Sequence, residues 1–77
     1  MSSRFERAVE NMMEVLNNHP NMKRWFMKWE PEKDKGYMFS NNDELGVLSD
    51  LVEPYKDGHS GASFAMTCRE VKRRLEA

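Results

Sequence analysis

Apolar side chains recur at helical spacing along the chain and predict four helices. The first extends over residues 3–18, where Ser3 and Glu6 form an S-x-x-E capping box and Pro20 ends the pattern. Its apolar face consists of Phe5, Ala8, Val9, Met12, Met13 and Leu16.

A second, shorter helix is predicted from Pro20 to Trp29. Pro20 suits the first helical position, and Met22, Trp25, Phe26 and Trp29 share one stripe. The aromatic cluster Trp25, Phe26 and Trp29 has two interpretations: it belongs to the core, or it anchors a protein partner.

The third and fourth helices follow a polar stretch at residues 30–36. Leu45, Leu48, Leu51 and Val52 give the third helix an apolar face, and Pro54 stops it. The fourth carries Phe64, Cys68, Val71 and Leu75, widened by Ala65 and Met66, and Arg69, Lys72, Arg73 and Arg74 load its C-terminal half. The pattern predicts a mostly α, single-domain fold over residues 1–77 with three to four helices, and it leaves room for one short extended segment near residues 37–39.

Composition narrows the class of protein. The net charge of −1 argues against a protein that coats nucleic acid, and no window approaches ~18 consecutive apolar residues, as a membrane span would require. A single cysteine, Cys68, cannot form an internal disulfide, and no secretory signal is visible, so we expect a cytoplasmic protein. The chain has 77 residues, offers no disulfide and has no spacing typical of a structural metal site, so we expect neither a metal nor another cofactor but do expect a homo-oligomer.

The segment Asp57-Gly58-His59-Ser60-Gly61-Ala62-Ser63 is the candidate site. Glycines allow close backbone approach to a ligand, and a helix that starts near Gly61 presents unpaired N–H groups to an anion. The residues we expect to bind a small phosphorylated ligand are Tyr55, Lys56, Gly58, His59, Ser60, Gly61, Ser63 and Arg69. Equally, Ser60 could be a plain helix cap and the glycines plain turn residues.

Catalysis is the less favoured interpretation of this segment. Gly58-His59-Ser60-Gly61-Ala62 departs from the G-x-S-x-G nucleophile elbow at Ala62, no convincing strand precedes it, and no histidine follows His59. Metal-assisted hydrolysis through Asp57 and His59 lacks a complete ligand set. We therefore expect no enzyme, with a small nucleotide hydrolase as a less favoured alternative.

Residues 56–66, followed by Val71-Lys72-Arg73-Arg74-Leu75, resemble the Gly-His-Ser-Gly-x-Ser segment of small tailed-bacteriophage proteins of unassigned function, in which the loop also leads into a helix with a basic end. The resemblance implies a virus-encoded accessory protein that acts in the bacterial cytoplasm. Such proteins include anti-defence sponges that sequester nucleotide or cyclic oligonucleotide signals, and inhibitors that dock on a host protein. The resemblance assigns no role to individual residues.

Overall fold

The computed structural model describes residues 3–30, 43–56 and 61–77, and within these ranges the chain folds into four α-helices and a 3₁₀ helix. The α-helices are α1 (Arg4–Asn18), α2 (Pro20–Lys28), α3 (Asp43–Leu51) and α4 (Gly61–Glu76), and the 3₁₀ helix (Glu53–Tyr55) follows α3. The prediction of a mostly α fold is confirmed. The segment 37–39 lies outside the described residues.

Local signals set the ends of α1 and α2. The Ser3 hydroxyl accepts a hydrogen bond from the Glu6 amide at 3.1 Å, as the capping box predicts. The Glu6 carboxylate, expected to reach back to Ser3, instead accepts hydrogen bonds from Arg74. His19 separates the two helices, and its ring Nδ1 lies 2.8 Å from the Val15 carbonyl oxygen, to which it donates. Pro20 then occupies the first turn of α2, where its missing N–H costs nothing.

The core lies where α1 crosses α4, with α2 and the 3₁₀ helix packed against the same pair. Every α-helix contributes to this core. Its buried apolar members are Ala8, Val9, Met12, Leu16, Phe26, Trp29, Leu45, Leu48, Val52, Tyr55, Phe64, Cys68 and Val71.

Two polar residues of α4, Thr67 and Lys72, are buried and form hydrogen bonds with other elements. The Lys72 ammonium donates a hydrogen bond to the Met27 carbonyl at the end of α2 and forms an ion pair with Glu76 at 3.0 Å. A carbonyl in the last turn of a helix has no intrahelical partner, so the lysine caps α2 as well as connecting it to α4.

Candidate functional site

A cleft of about 180 Å³ opens where the start of α1 meets the 3₁₀ helix and the first turns of α4. Eight of the described residues line it: Arg4, Phe5, Ala8, Pro54, Tyr55, Ser63, Met66 and Thr67. Two of them, Tyr55 and Ser63, were predicted as site residues from the sequence. The cleft is therefore lined by described residues from both sides of residues 57–60, since Tyr55 precedes them and Ser63 follows them.

The three central residues of the predicted loop, Gly58, His59 and Ser60, lie outside the described residues, so their role stays a prediction. Gly61 is the first residue of α4, which agrees with the prediction of a helix start there.

Tyr55 forms the rigid wall of the cleft. Its ring is buried and meets Phe64 edge to face, with the ring centroids 5.1 Å apart. Its hydroxyl lies 3.1 Å from the Ser63 carbonyl oxygen and also contacts the Thr67 hydroxyl, which in turn lies 2.9 Å from the same carbonyl. Two hydroxyl hydrogens serve these three contacts, so one hydroxyl donates to the carbonyl while the other donates to its neighbour.

This packing changes the role expected for Tyr55. The sequence placed Tyr55 among the residues expected to bind the ligand, whereas the structure shows its ring packed against Phe64. Burial raises the pKa of the Tyr55 hydroxyl, and the smaller effects of the Thr67 hydrogen bond and the Arg4 charge oppose that rise. The hydroxyl thus stays protonated and helps to hold the 3₁₀ helix on α4.

Lys56 and Arg69, the two cations predicted to meet the ligand, are not among the residues that line the cleft. Lys56 is exposed and pairs with Glu53 at 2.8 Å within its own turn. Arg69 is exposed on α4. Among the described residues, the cation at the cleft is Arg4, which was not singled out from the sequence because it has the position of an ordinary first-turn residue beside the Ser3 cap.

Two apolar residues assigned to the core by helical spacing lie at the cleft instead. Phe5 is 39% exposed and Met66 is 60% exposed, so the expectation that they extend the core stripes of α1 and α4 was wrong. Phe5 lies on the stripe of α1 but in its first turn, at the open end of the helix crossing, whereas Met66 lies two residues after the buried Phe64 and so points away from the stripe of α4. Thr67 could have been found from its spacing, since it follows Ser63 by four residues on the same helical face.

The aromatic cluster of α2 belongs to the core. Phe26 is fully buried and Trp29 is 6% exposed, with their ring centroids 5.6 Å apart. Trp25 is half-buried beside them. Phe26 and Trp29 therefore pack inside the folded chain, and only Trp25 keeps an exposed part that could meet a partner.

The basic end of α4 is largely neutralised within the fold. Arg74 bridges two carboxylates, Glu70 at 2.7 Å on its own helix and Glu6 at 2.5 Å on α1, while Arg73 pairs with Glu70. The hydrogen bonds from Arg73 and Arg74 lower the pKa of Glu70 to about 2, and the hydrogen bond from Arg74 lowers that of Glu6. Of the two arginines, Arg74 stabilises the contact between α1 and α4, while Arg73 pairs within α4.

Among the described residues there is no group of three side chains arranged to hold a metal ion. None of the helices in these ranges has the length and apolar character needed to span a bilayer. Comparison with protein-family models, curated proteins and solved structures finds no match to the chain.

Proposed function

We propose that the protein is a non-catalytic binding protein whose cleft receives part of a small phosphorylated ligand. The single observation that carries this proposal is the make-up of the cleft, in which one guanidinium and several hydroxyl groups meet exposed apolar side chains. Ligand sites commonly combine apolar walls with a few placed polar groups in this way.

Two kinds of lining side chain suit two parts of one ligand. The Arg4 guanidinium is always charged and presents donors in a fixed fork that matches a phosphate. Phe5 and Met66 offer an exposed ring and a polarizable thioether, which favour contact with a flat ring. A ligand that joins a phosphate to a base would use both.

The size of the cleft limits how much of the ligand it holds. Pockets that enclose a drug-sized ligand are roughly 300–1,000 Å³, and this cleft is smaller, at about 180 Å³. We therefore infer that one base or one phosphate-bearing end enters it, and that the rest of a nucleotide or cyclic oligonucleotide lies outside.

The resemblance of residues 56–66 and 71–75 to a segment of small bacteriophage proteins supports a biological setting for this binding. In that setting the chain is a virus-encoded accessory factor in the bacterial cytoplasm that sequesters a nucleotide signal of host defence.

The second candidate function is docking on a host protein. It is favoured by the exposure of Phe5 and Met66, both of which line the cleft. Aromatic and methionine side chains are typical anchors of protein interfaces. This surface replaces the buried Phe26 and Trp29 as the place where such a partner would bind.

Titration calorimetry with AMP, cyclic dinucleotides and inorganic phosphate tests the binding proposal. We expect the wild type to bind a nucleotide, and we expect Arg4→Glu to weaken binding by at least about tenfold, since it replaces the attractive charge with a repulsive one. Arg7→Glu is the matched control, because it makes the same charge change on the same helix outside the cleft.

Equal losses of nucleotide affinity in Arg4→Glu and Arg7→Glu would show that binding depends only on net charge, and would overturn the assignment of the cleft as the binding site. Absence of binding by all three probes would overturn the phosphorylated-ligand proposal and favour the protein partner. Release of a hydrolysis product from bound nucleotide would replace the non-catalytic proposal with an enzyme.

A further inference from the structure

Helices α2 and α3 carry opposite charges. The nine residues of α2 include three cations, Lys23, Arg24 and Lys28, and no carboxylate. The nine residues of α3 include three carboxylates, Asp43, Glu44 and Asp50, and no cation. Since the whole chain has a net charge of only −1, these two helices form separate patches of opposite sign on a nearly neutral molecule.

On α3 the charges share a face with exposed apolar side chains. Asp43, Val47 and Asp50 follow one another at i, i+4 and i+7, and Leu51 lies beside Val47. Val47 is 49% exposed and Leu51 is 38% exposed, whereas Leu45 and Leu48 on the opposite side are buried. The outer face of α3, defined by Asp43, Val47, Asp50 and Leu51, thus combines two carboxylates with two exposed apolar side chains beside them.

On α2 the outward side has the complementary composition. Arg24 and Lys28 are exposed and lie one turn apart on the face opposite the buried Phe26. Half-buried hydrophobic side chains flank them at i+3 spacing, Met27 after Arg24 and Trp25 before Lys28. The outer face of α2, defined by Arg24, Trp25, Met27 and Lys28, is therefore a pair of cations with apolar flanks.

Neither face is neutralised by the described part of its own chain. The ion pairs there join Lys56 to Glu53, Lys72 to Glu76, and the arginines near the end of α4 to Glu70 and Glu6. None of these pairs uses a charge from the outer face of α2 or the outer face of α3.

We propose that the outer face of α2 binds the outer face of α3 of a second copy of this chain. Every copy carries both faces, so the contact is heterologous, and repetition closes it into a ring or extends it into a chain of subunits. The pairing places Arg24 and Lys28 against Asp43 and Asp50, and the apolar side chains of the two faces pack beside these charges. It involves no residue of the cleft and does not depend on the ligand.

The size of these faces predicts a weak and salt-sensitive contact. A nine-residue helix is only about 13 Å long, so one such contact buries far less than the roughly 1,600 Å² of a standard interface. Charge therefore carries much of the specificity, and salt should reverse the association, because at about 1 M the screening length falls to about 3 Å.

Sedimentation velocity over a concentration series at low salt tests the proposal. We expect the average mass of the wild type to rise above the 9.1 kDa monomer and to return to it at about 1 M salt. The variant Arg24→Glu should raise the dissociation constant by at least about tenfold, because it opposes carboxylates with a carboxylate. Arg7→Glu has the same net charge as Arg24→Glu and should associate like the wild type.

The decisive variant reverses both faces at once. R24E/K28E and D43K/D50K should each be monomeric, whereas R24E/K28E/D43K/D50K, which keeps the wild-type net charge of −1, should regain self-association. Circular dichroism checks that each variant remains helical. If the four-fold variant fails to fold, a mixture of the two double variants takes its place, and a mixed complex is expected.

Three results would overturn the proposal. The first is a wild type that stays monomeric throughout the concentration series. The second is a loss of self-association that is equal in Arg7→Glu and Arg24→Glu. The third is a folded four-fold variant, or a mixture of folded double variants, that does not associate.

Discussion

The two halves of α4 contact the same neighbour, α1, by different means. In the C-terminal half, Arg74 joins α1 through its ion pair with Glu6, and Lys72 caps the end of α2. In the N-terminal half, Thr67 and Ser63 hold the 3₁₀ helix through Tyr55 and leave a cleft beside α1.

The difference shows how one short helix can be both scaffold and site. The C-terminal half uses most of its charge in contacts that the fold needs, so little is left to attract a ligand. The N-terminal half combines a buried anchor, Phe64, with the exposed Met66 two residues later. Helical spacing separates the two functions, since residues two apart point in different directions.

Of the tests of this difference between the two halves, Phe64→Ala should have the largest effect, and the quantity it changes is the free energy of unfolding. Removing a buried ring that packs on Tyr55 should lower the free energy of unfolding by about 3–5 kcal/mol, a large fraction of the stability of a small domain. Met66→Ala, two residues away and 60% exposed, should change it by no more than about 0.5 kcal/mol. Urea denaturation measures the free energy of unfolding of both variants. Similar losses of stability would show that Phe64 does not act as scaffold any more than Met66 does.

Arg74→Gln should have a smaller effect that depends on pH. Glu6 and Glu70 have folded-state pKa values below the ordinary 4.5, and that of Glu70 is about 2. The stability that these carboxylates contribute is therefore present above pH 4.5 and is lost as the pH falls from about 4.5 towards 2. At pH 7 the variant should melt at a lower temperature than the wild type, and its melting temperature should fall less on acidification.

Melting temperatures from pH 7 to pH 2 measure this effect. Glu10→Gln, an exposed position on α1 outside the arginine network, is the matched control and should keep the acid dependence of the wild type. An acid dependence that Arg74→Gln leaves unchanged would show that the contacts of Arg74 with Glu6 and Glu70 are not its origin.

The mildest test uses Cys68, which lies between the two halves. The thiol is fully buried, and burial raises its pKa, so a thiol reagent should modify the native wild type much more slowly than the unfolded chain. Phe64→Ala should accelerate the modification, because it lowers the cost of opening the core. Rapid labelling of the native wild type would show that the helix already opens at this point.

Local signals explain why most of the fold could be predicted. The Ser3 cap and Pro20 define α1, and the apolar stripes locate the helices and most of the core. The burial of Lys72 could not be predicted, because its hydrogen-bond acceptor is the Met27 carbonyl, 45 residues earlier in the chain. A sequence pattern shows which residue types recur, but it does not show which carbonyl a distant helix end will present.

The candidate site was predictable only in part for the same reason. Tyr55 and Ser63 are close in sequence to the glycine-flanked segment, so composition pointed to them. Arg4 and Phe5 come from the other end of the chain, and only the crossing of α1 and α4 brings them to the cleft. Helical spacing predicted that Phe5 belongs to the core because it shares a face with Ala8 and Val9. These two neighbours are buried, but Phe5 itself is exposed.

The packing of α1 against α4 also bears on how the protein is made. These are the first and last helices described, and the bond between Glu6 and Arg74 spans 68 residues, so the central contact is among the longest-range in the chain. Helical domains usually fold quickly through local contacts, but here α1 lacks its main partner until α4 has left the ribosome. We expect nascent chains stalled before residue 61 to be cleaved readily by protease, with resistance appearing only once α4 has emerged.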